Sequence, residues 1–175
     1  MDIRETLYRE HSKANTMAIV DWIGSRSDRF AELVTVFLGD DPLLAQRAAW
    51  VIGHAGYEYP VLFEDHLTDF IAVLKKAVHP ALHRGLLRVL AEGKVLVPEE
   101  LEGELVDQCF TLLTTHSSPV ATRVFAMQVV ANYCIQYPDL AVELKAIIED
   151  QMEHATPGLR SRGQKILKKL AKVMQ

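Results

Sequence analysis

The chain has 175 residues, 49% hydrophobic and 24% charged, with 23 acidic and 19 basic side chains for a formal net charge of −4. That length and balance suit a single domain with its own hydrophobic core and exclude a disordered or low-complexity chain. No segment approaches roughly eighteen uninterrupted apolar residues, so a membrane-spanning helix of ordinary length is excluded as well.

From the N-terminus, "MDIRETLYREHSK" mixes acids and bases and lacks the apolar run of a secretory signal, which predicts a soluble, cytoplasmic protein. "DIRETLYREH" and "KANTMAIVDWIGS" are both helix-compatible, and Met17, Ile19, Val20 and Ile23 give the second an apolar stripe. Residues 1–26 are therefore expected to form an N-terminal helical cap. Beyond them, Phe30, Leu33, Val34, Phe37 and Leu38 recur at helical spacing, as do Leu67, Phe70, Ile71, Val73 and Leu74. Helices are predicted over about 27–38, 64–77, 99–115 and 138–153, with "YEYPVLF" and "KVLVPEE" read as proline-bearing loops.

Between these helices a second pattern repeats. Pro42, Pro80, Pro119 and Pro157 are spaced by 38, 39 and 38 positions, a near-constant period of the kind that marks stacked repeats. Proline at the first position of a helix loses nothing, because its missing N–H would have had no intrahelical partner. The residues before the prolines are Asp41, His79, Ser118 and Thr156, three of them of good N-cap type. Each proline is followed four or five positions later by an arginine, at Arg47, Arg84, Arg123 and Arg162. Pairing each proline-started helix with the one before it predicts four hairpins, at about 27–57, 64–93, 99–136 and 138–175.

The stretch "AELVTVFLGDDPLLAQRAAWVIG", with Asp41 at a short turn and Arg47 in the following helix, resembles the HEAT-repeat (HEAT/armadillo-like) family. The resemblance implies an all-α fold: a right-handed α-α superhelix, or solenoid, of about four hairpins behind the cap, as one domain over residues 1–175. It also implies that each second helix faces the concave side and that the recurring arginine bonds to neighbouring turns. The turn acid departs from the family pattern, since His79, Ser118 and Thr156 stand near its place in the later repeats. A solenoid of this kind needs capped ends, because one hairpin alone cannot bury its apolar face.

Signatures of chemistry are scarce. There is no Gly-rich dinucleotide or phosphate loop, no serine nucleophile elbow, no HExxH and no EF-hand pattern. His79 and His83 are four apart but lack further ligands at matching spacing, so no metal site and no cofactor are expected. His116 and His154 recur near equivalent turns, and Cys109 and Cys134 read as isolated, buried, reduced thiols. With no catalytic residue assigned, the expected function is a non-catalytic protein-protein interaction scaffold that holds a protein or peptide on its curved surface. Trp50, His54 and Arg88 are its candidate groove residues, beside Tyr57 and Tyr59. The four arginines are read as structural, the alternative being a guanidinium column that binds carboxylates or phosphates.

The competing functional class is a nucleic-acid binder, or an alkylpurine DNA glycosylase of HEAT-like fold, with Asp21 and Trp22 or Trp50 as an imaginable catalytic pair. Such proteins need a dense positive field, since phosphate contacts supply most of the affinity. Six basic residues and no acid lie in 154–175, which leaves 13 basic against 23 acidic residues in the rest of the chain. Charge thus argues against nucleic acid. The acidic run "EELEGELVD" and the basic last helix make charge-complementary self-association a further route.

Overall fold

The computed structural model describes residues 1–174, so the last residue of the expected 138–175 hairpin lies outside the described chain. The described residues hold eleven α-helices and no strand. They form two compact units, Met1–Val97 and the chain from Pro98 onward.

The first unit contains α1 (Ile3–Arg9), α2 (Lys13–Ile23), α3 (Ser27–Phe37), α4 (Pro42–Glu58), α5 (Pro60–Glu64), α6 (Leu67–Leu74) and α7 (Pro80–Ala91). Local chemistry sets the starts of several. Asp2, Ser12 and Asp41 each accept a backbone N–H of the first turn that follows them, and His79 does the same for α7 through Nδ1. Pro42 and Pro80 occupy the first helical position as expected. Gly93, at φ 68°, turns the chain away after α7 in a conformation that disfavours a side chain.

Helix α4 is the hub, packing on α1, α2, α3 and α7. It crosses α7 closely at Gly85, whose backbone faces Gly53 and Ala49 of α4 with no side chain of either glycine between them. The core of the unit also holds Phe30, Phe37, Phe63 and Phe70, with Phe70 ring-to-ring against Phe37 at 5.8 Å and Phe63 at 4.5 Å. Each fully buried phenylalanine contributes on the order of 2 kcal/mol of transfer free energy. The cap carries a buried polar anchor: Asn15 donates from Nδ2 to the carbonyls of Thr6 and Glu10, both at 2.9 Å. Asn15→Ala leaves these acceptors unpaired and is expected to cost about 2 kcal/mol, read as a lower urea midpoint at unchanged slope.

The second unit contains α8 (Glu99–Thr114), α9 (Val120–Tyr133), α10 (Asp139–Gln151) and α11 (Pro157–Val173). Helix α9 packs on α8, α10 and α11, around Leu105, Cys109, Leu113, Val130, Leu144 and Ile166.

Three expectations need correction. "YEYPVLF" is not a loop: α4 runs on through Tyr57 and Glu58, and Pro60 opens α5. Only Tyr59 leaves the helical conformation, since proline disfavours αR at the residue before it, and Leu62 and Phe63 are drawn into the core. The helix expected over 64–77 consequently begins at Leu67 and ends at Leu74. Pro119 is not a first helical residue either; at φ −57° and ψ 148° it is itself the N-cap of α9, so Ser118 lies outside the cap.

Candidate interaction surface

Three of the four recurring arginines join one helix to another, two of them at a helix end. Arg47 donates through Nη1 to the carbonyls of Leu7 at 2.7 Å and Tyr8 at 2.8 Å, in the last turn of α1, where carbonyls lack intrahelical partners. Arg123 donates to the Leu113 carbonyl in the last turn of α8 and to Gln151 Oε1 at 2.6 Å; Gln151 Nε2 donates to the same carbonyl. Arg162 donates to Gln128 Oε1 at 2.7 Å, tying α11 to α9.

Arg84 is exposed and makes no hydrogen bond or ion pair among the described residues. Its neighbour His83 stands in its place, with Nε2 3.2 Å from the Val73 carbonyl in the last turn of α6. Both His83 and Arg123 are the fourth residue of their helices, counted from Pro80 and Val120. Alignment on the prolines hides this match, because Pro119 precedes its helix and Pro80 lies inside its own. Burial lowers the pKa of His83, with the backbone contacts at Val73 and Lys76 opposing that shift.

The three candidate groove residues fall on one face. Trp50 and His54 are one turn apart on α4, half-buried, with ring centroids 6.1 Å apart. Tyr57 continues this row and is exposed. Arg88, from α7, holds its guanidinium 5.8 Å from the Tyr57 ring, and Lys94 Nζ lies 4.8 Å from the same ring. At the other end His11 packs against Trp50 at 5.0 Å. Partial burial lowers the pKa of His54, and the cations Arg88 and Lys13 push it the same way, with Glu58 opposing them. Tyr59, at the α4–α5 break, has no ring contact with this row.

Sequence periodicity marks Trp50, His54 and Tyr57 as one helical face but has no means of finding His11, Lys13 or Lys94. These three arrive from the α1–α2 connection, the start of α2 and the residues after α7. The assembled surface is a row of rings with two cations against its Tyr57 end and Lys13 near His54. Rings set beside cations offer apolar area next to positive charge, the combination that receives an anionic group carried next to an apolar one.

The other candidates lie elsewhere. Trp22 is covered by Arg29, whose guanidinium sits 4.7 Å over the ring and donates to the Trp22 carbonyl. Asp21 is exposed, and no ring contact or hydrogen bond among the described residues joins Asp21 or Trp22 to Trp50. His116 and His154 are exposed. Cys109 and Cys134 are both buried free thiols; burial raises both, Cys134 to about 11. No group of three or more His, Cys, Asp or Glu among the described residues is arranged to hold a metal ion.

No helix among the described residues is long and apolar enough to cross a membrane. No curated protein and no solved structure matches the chain. The family model for the HEAT repeat domain, however, matches residues 3–170, from α1 through nearly all of α11. With its all-helical build and its paired helices, the chain belongs to the HEAT-repeat family.

Proposed function

We propose that the chain is a non-catalytic scaffold that holds a protein partner on the α4–α7 face of its first unit. HEAT repeats are commonly protein-interaction scaffolds, which supports the general role. The observation carrying the specific reading is the row of rings Trp50, His54 and Tyr57 with the cations Arg88 and Lys94 held against its Tyr57 end. The partner segment is a peptide whose carboxylates meet Arg88, Lys94 and Lys13 while an apolar side chain covers the exposed edge of Trp50. Trp, Tyr and Arg are also the residues that most often carry interface free energy. In this role the protein works in the cytoplasm, where its buried thiols stay reduced.

The same rings and cations favour nucleic acid as the second reading, because bases stack on aromatic side chains. Charge density weighs against it: the first unit holds 11 basic and 13 acidic residues, short of the positive field that phosphate binding requires. Affinity capture from native lysate, with and without nuclease, separates the two. A protein retained after nuclease treatment and lost with a folded Arg88→Glu/Trp50→Ala variant supports the scaffold. Recovery of nucleic acid alone, with steep salt dependence, refutes it and calls for a glycosylase assay.

A further inference from the structure

The second unit carries a separate groove between α8 and α10, of about 570 Å³. Its floor is apolar: Val106 is buried, Phe110 and Leu140 are half-exposed, and the Tyr137 ring closes one side. Tyr137 is held there by its hydroxyl, which donates to Glu102 Oε2 at 2.6 Å, and by stacking on Tyr133. Gly103 lines the groove as well, and a Cβ built on it meets nothing within 4 Å. The volume above α8 is open because this position has no side chain.

The rim is acidic. Glu99, Glu102, Asp107, Asp139 and Glu143 line the groove, and none of them forms an ion pair among the described residues. Glu99, Glu102 and Asp139 lie in first turns, where a negative charge complements the helix dipole. Asp107 and Glu143 lie beyond those turns, so the dipole does not account for them. The carboxylates are not grouped to chelate an ion. An apolar floor rimmed by carboxylates that have no ion-pair partner among the described residues is complementary to a segment that presents apolar and cationic side chains together.

We propose that this groove docks a basic amphipathic helix or peptide from another protein, its apolar side chains on Val106, Phe110 and Leu140 and its lysines or arginines against the rim. A second copy of the chain is the nearest rival, because α11 exposes Arg160, Lys165, Lys168, Lys169 and Lys172. That helix brings charge with little to anchor it: Leu159, Ile166 and Leu170 are buried within its own unit, which leaves Leu167 and Val173 as its partly exposed apolar side chains. Docked from outside, α11 has no full apolar stripe to lay on the floor. The segment that fits must carry an apolar stripe of its own, spaced at i, i+3, i+4 and i+7.

The test uses the full chain and a fluorescent leucine-lysine peptide with that stripe, followed by anisotropy across a salt series. A peptide of equal charge with serine replacing each leucine is the comparison. Gly103→Leu fills the groove while keeping every charge, and its open surroundings and better helix propensity preserve the fold. Glu102→Gln/Glu143→Gln keeps the shape and removes two charges. The expected result is at least about tenfold weaker binding for Gly103→Leu, severalfold weaker binding with a flatter salt dependence for the double variant, and little binding of the serine peptide. Equal binding of both peptides, or unchanged affinity in Gly103→Leu, overturns the proposal. So does sedimentation showing a dimer that Gly103→Leu converts to monomer, since the occupant is then a second copy.

Discussion

Gly85→Ala is expected to destabilise the first unit by about 2 kcal/mol, although alanine is the better helix former by about 1 kcal/mol. A Cβ at Gly85 overlaps the Ala49 carbonyl oxygen and crowds its carbon at 3.2 Å. Both are backbone atoms inside α4, so neither can rotate aside, and relief requires α4 and α7 to separate. That separation loosens the contact at Gly53 and the packing around Val89. Gly103→Ala provides the opposite sign, because its Cβ enters open space in the middle of α8. It is expected to raise stability by up to about 1 kcal/mol. Urea unfolding of both variants checks the pair, and a neutral Gly85→Ala contradicts the close crossing of α4 and α7.

The second large effect concerns binding. Arg88→Glu/Trp50→Ala is expected to weaken the partner of the first unit by at least about 30-fold, since it reverses one anchoring charge and truncates the largest ring of the face. The pH dependence follows from His54. In the free protein burial and the nearby Arg88 and Lys13 hold its pKa below the ordinary value, against the opposing Glu58. A partner carboxylate beside it favours the imidazolium and raises that pKa, so the complex takes up a proton and affinity increases as pH falls from 8 to 6. Stability of the free unit changes in the other sense: with the folded pKa depressed, the unfolded chain binds protons first, and His54 disfavours folding as pH falls through 6.5. Titration calorimetry at several pH values, with His54→Gln as the flat reference, measures the binding effect.

How much of this was legible in the sequence depended on whether the physics was local. The proline period succeeded at Pro42, Pro80 and Pro157 because a first-turn proline is a property of a few adjacent residues. It slipped by one at Pro119, and that slip obscured the exchange of roles between Arg84 and His83. The break at Tyr59 was visible as a proline signal, but its brevity was not, because burial of Leu62 and Phe63 decides that a helix resumes at once. Trp50 and His54 share a face by helical spacing, whereas Arg88, Lys94 and His11 join them only through the packing of α4 against its neighbours. The groove of the second unit was legible as an acidic run and no further, since its floor combines residues from α8 and α10.

Site-specific photo-crosslinking from position 57 tests the scaffold reading most directly. Tyr57 is exposed between Arg88 and Lys94, and a benzoyl-phenylalanine there preserves the ring while reaching whatever lies against it. The same probe at Thr68, exposed on α6, serves as the comparison. The predicted result is one protein adduct from position 57, mapped to an acidic segment, insensitive to nuclease and absent from position 68. Adducts of equal yield and identity at both positions, or an adduct with nucleic acid alone, contradict a protein-binding face on α4 and α7.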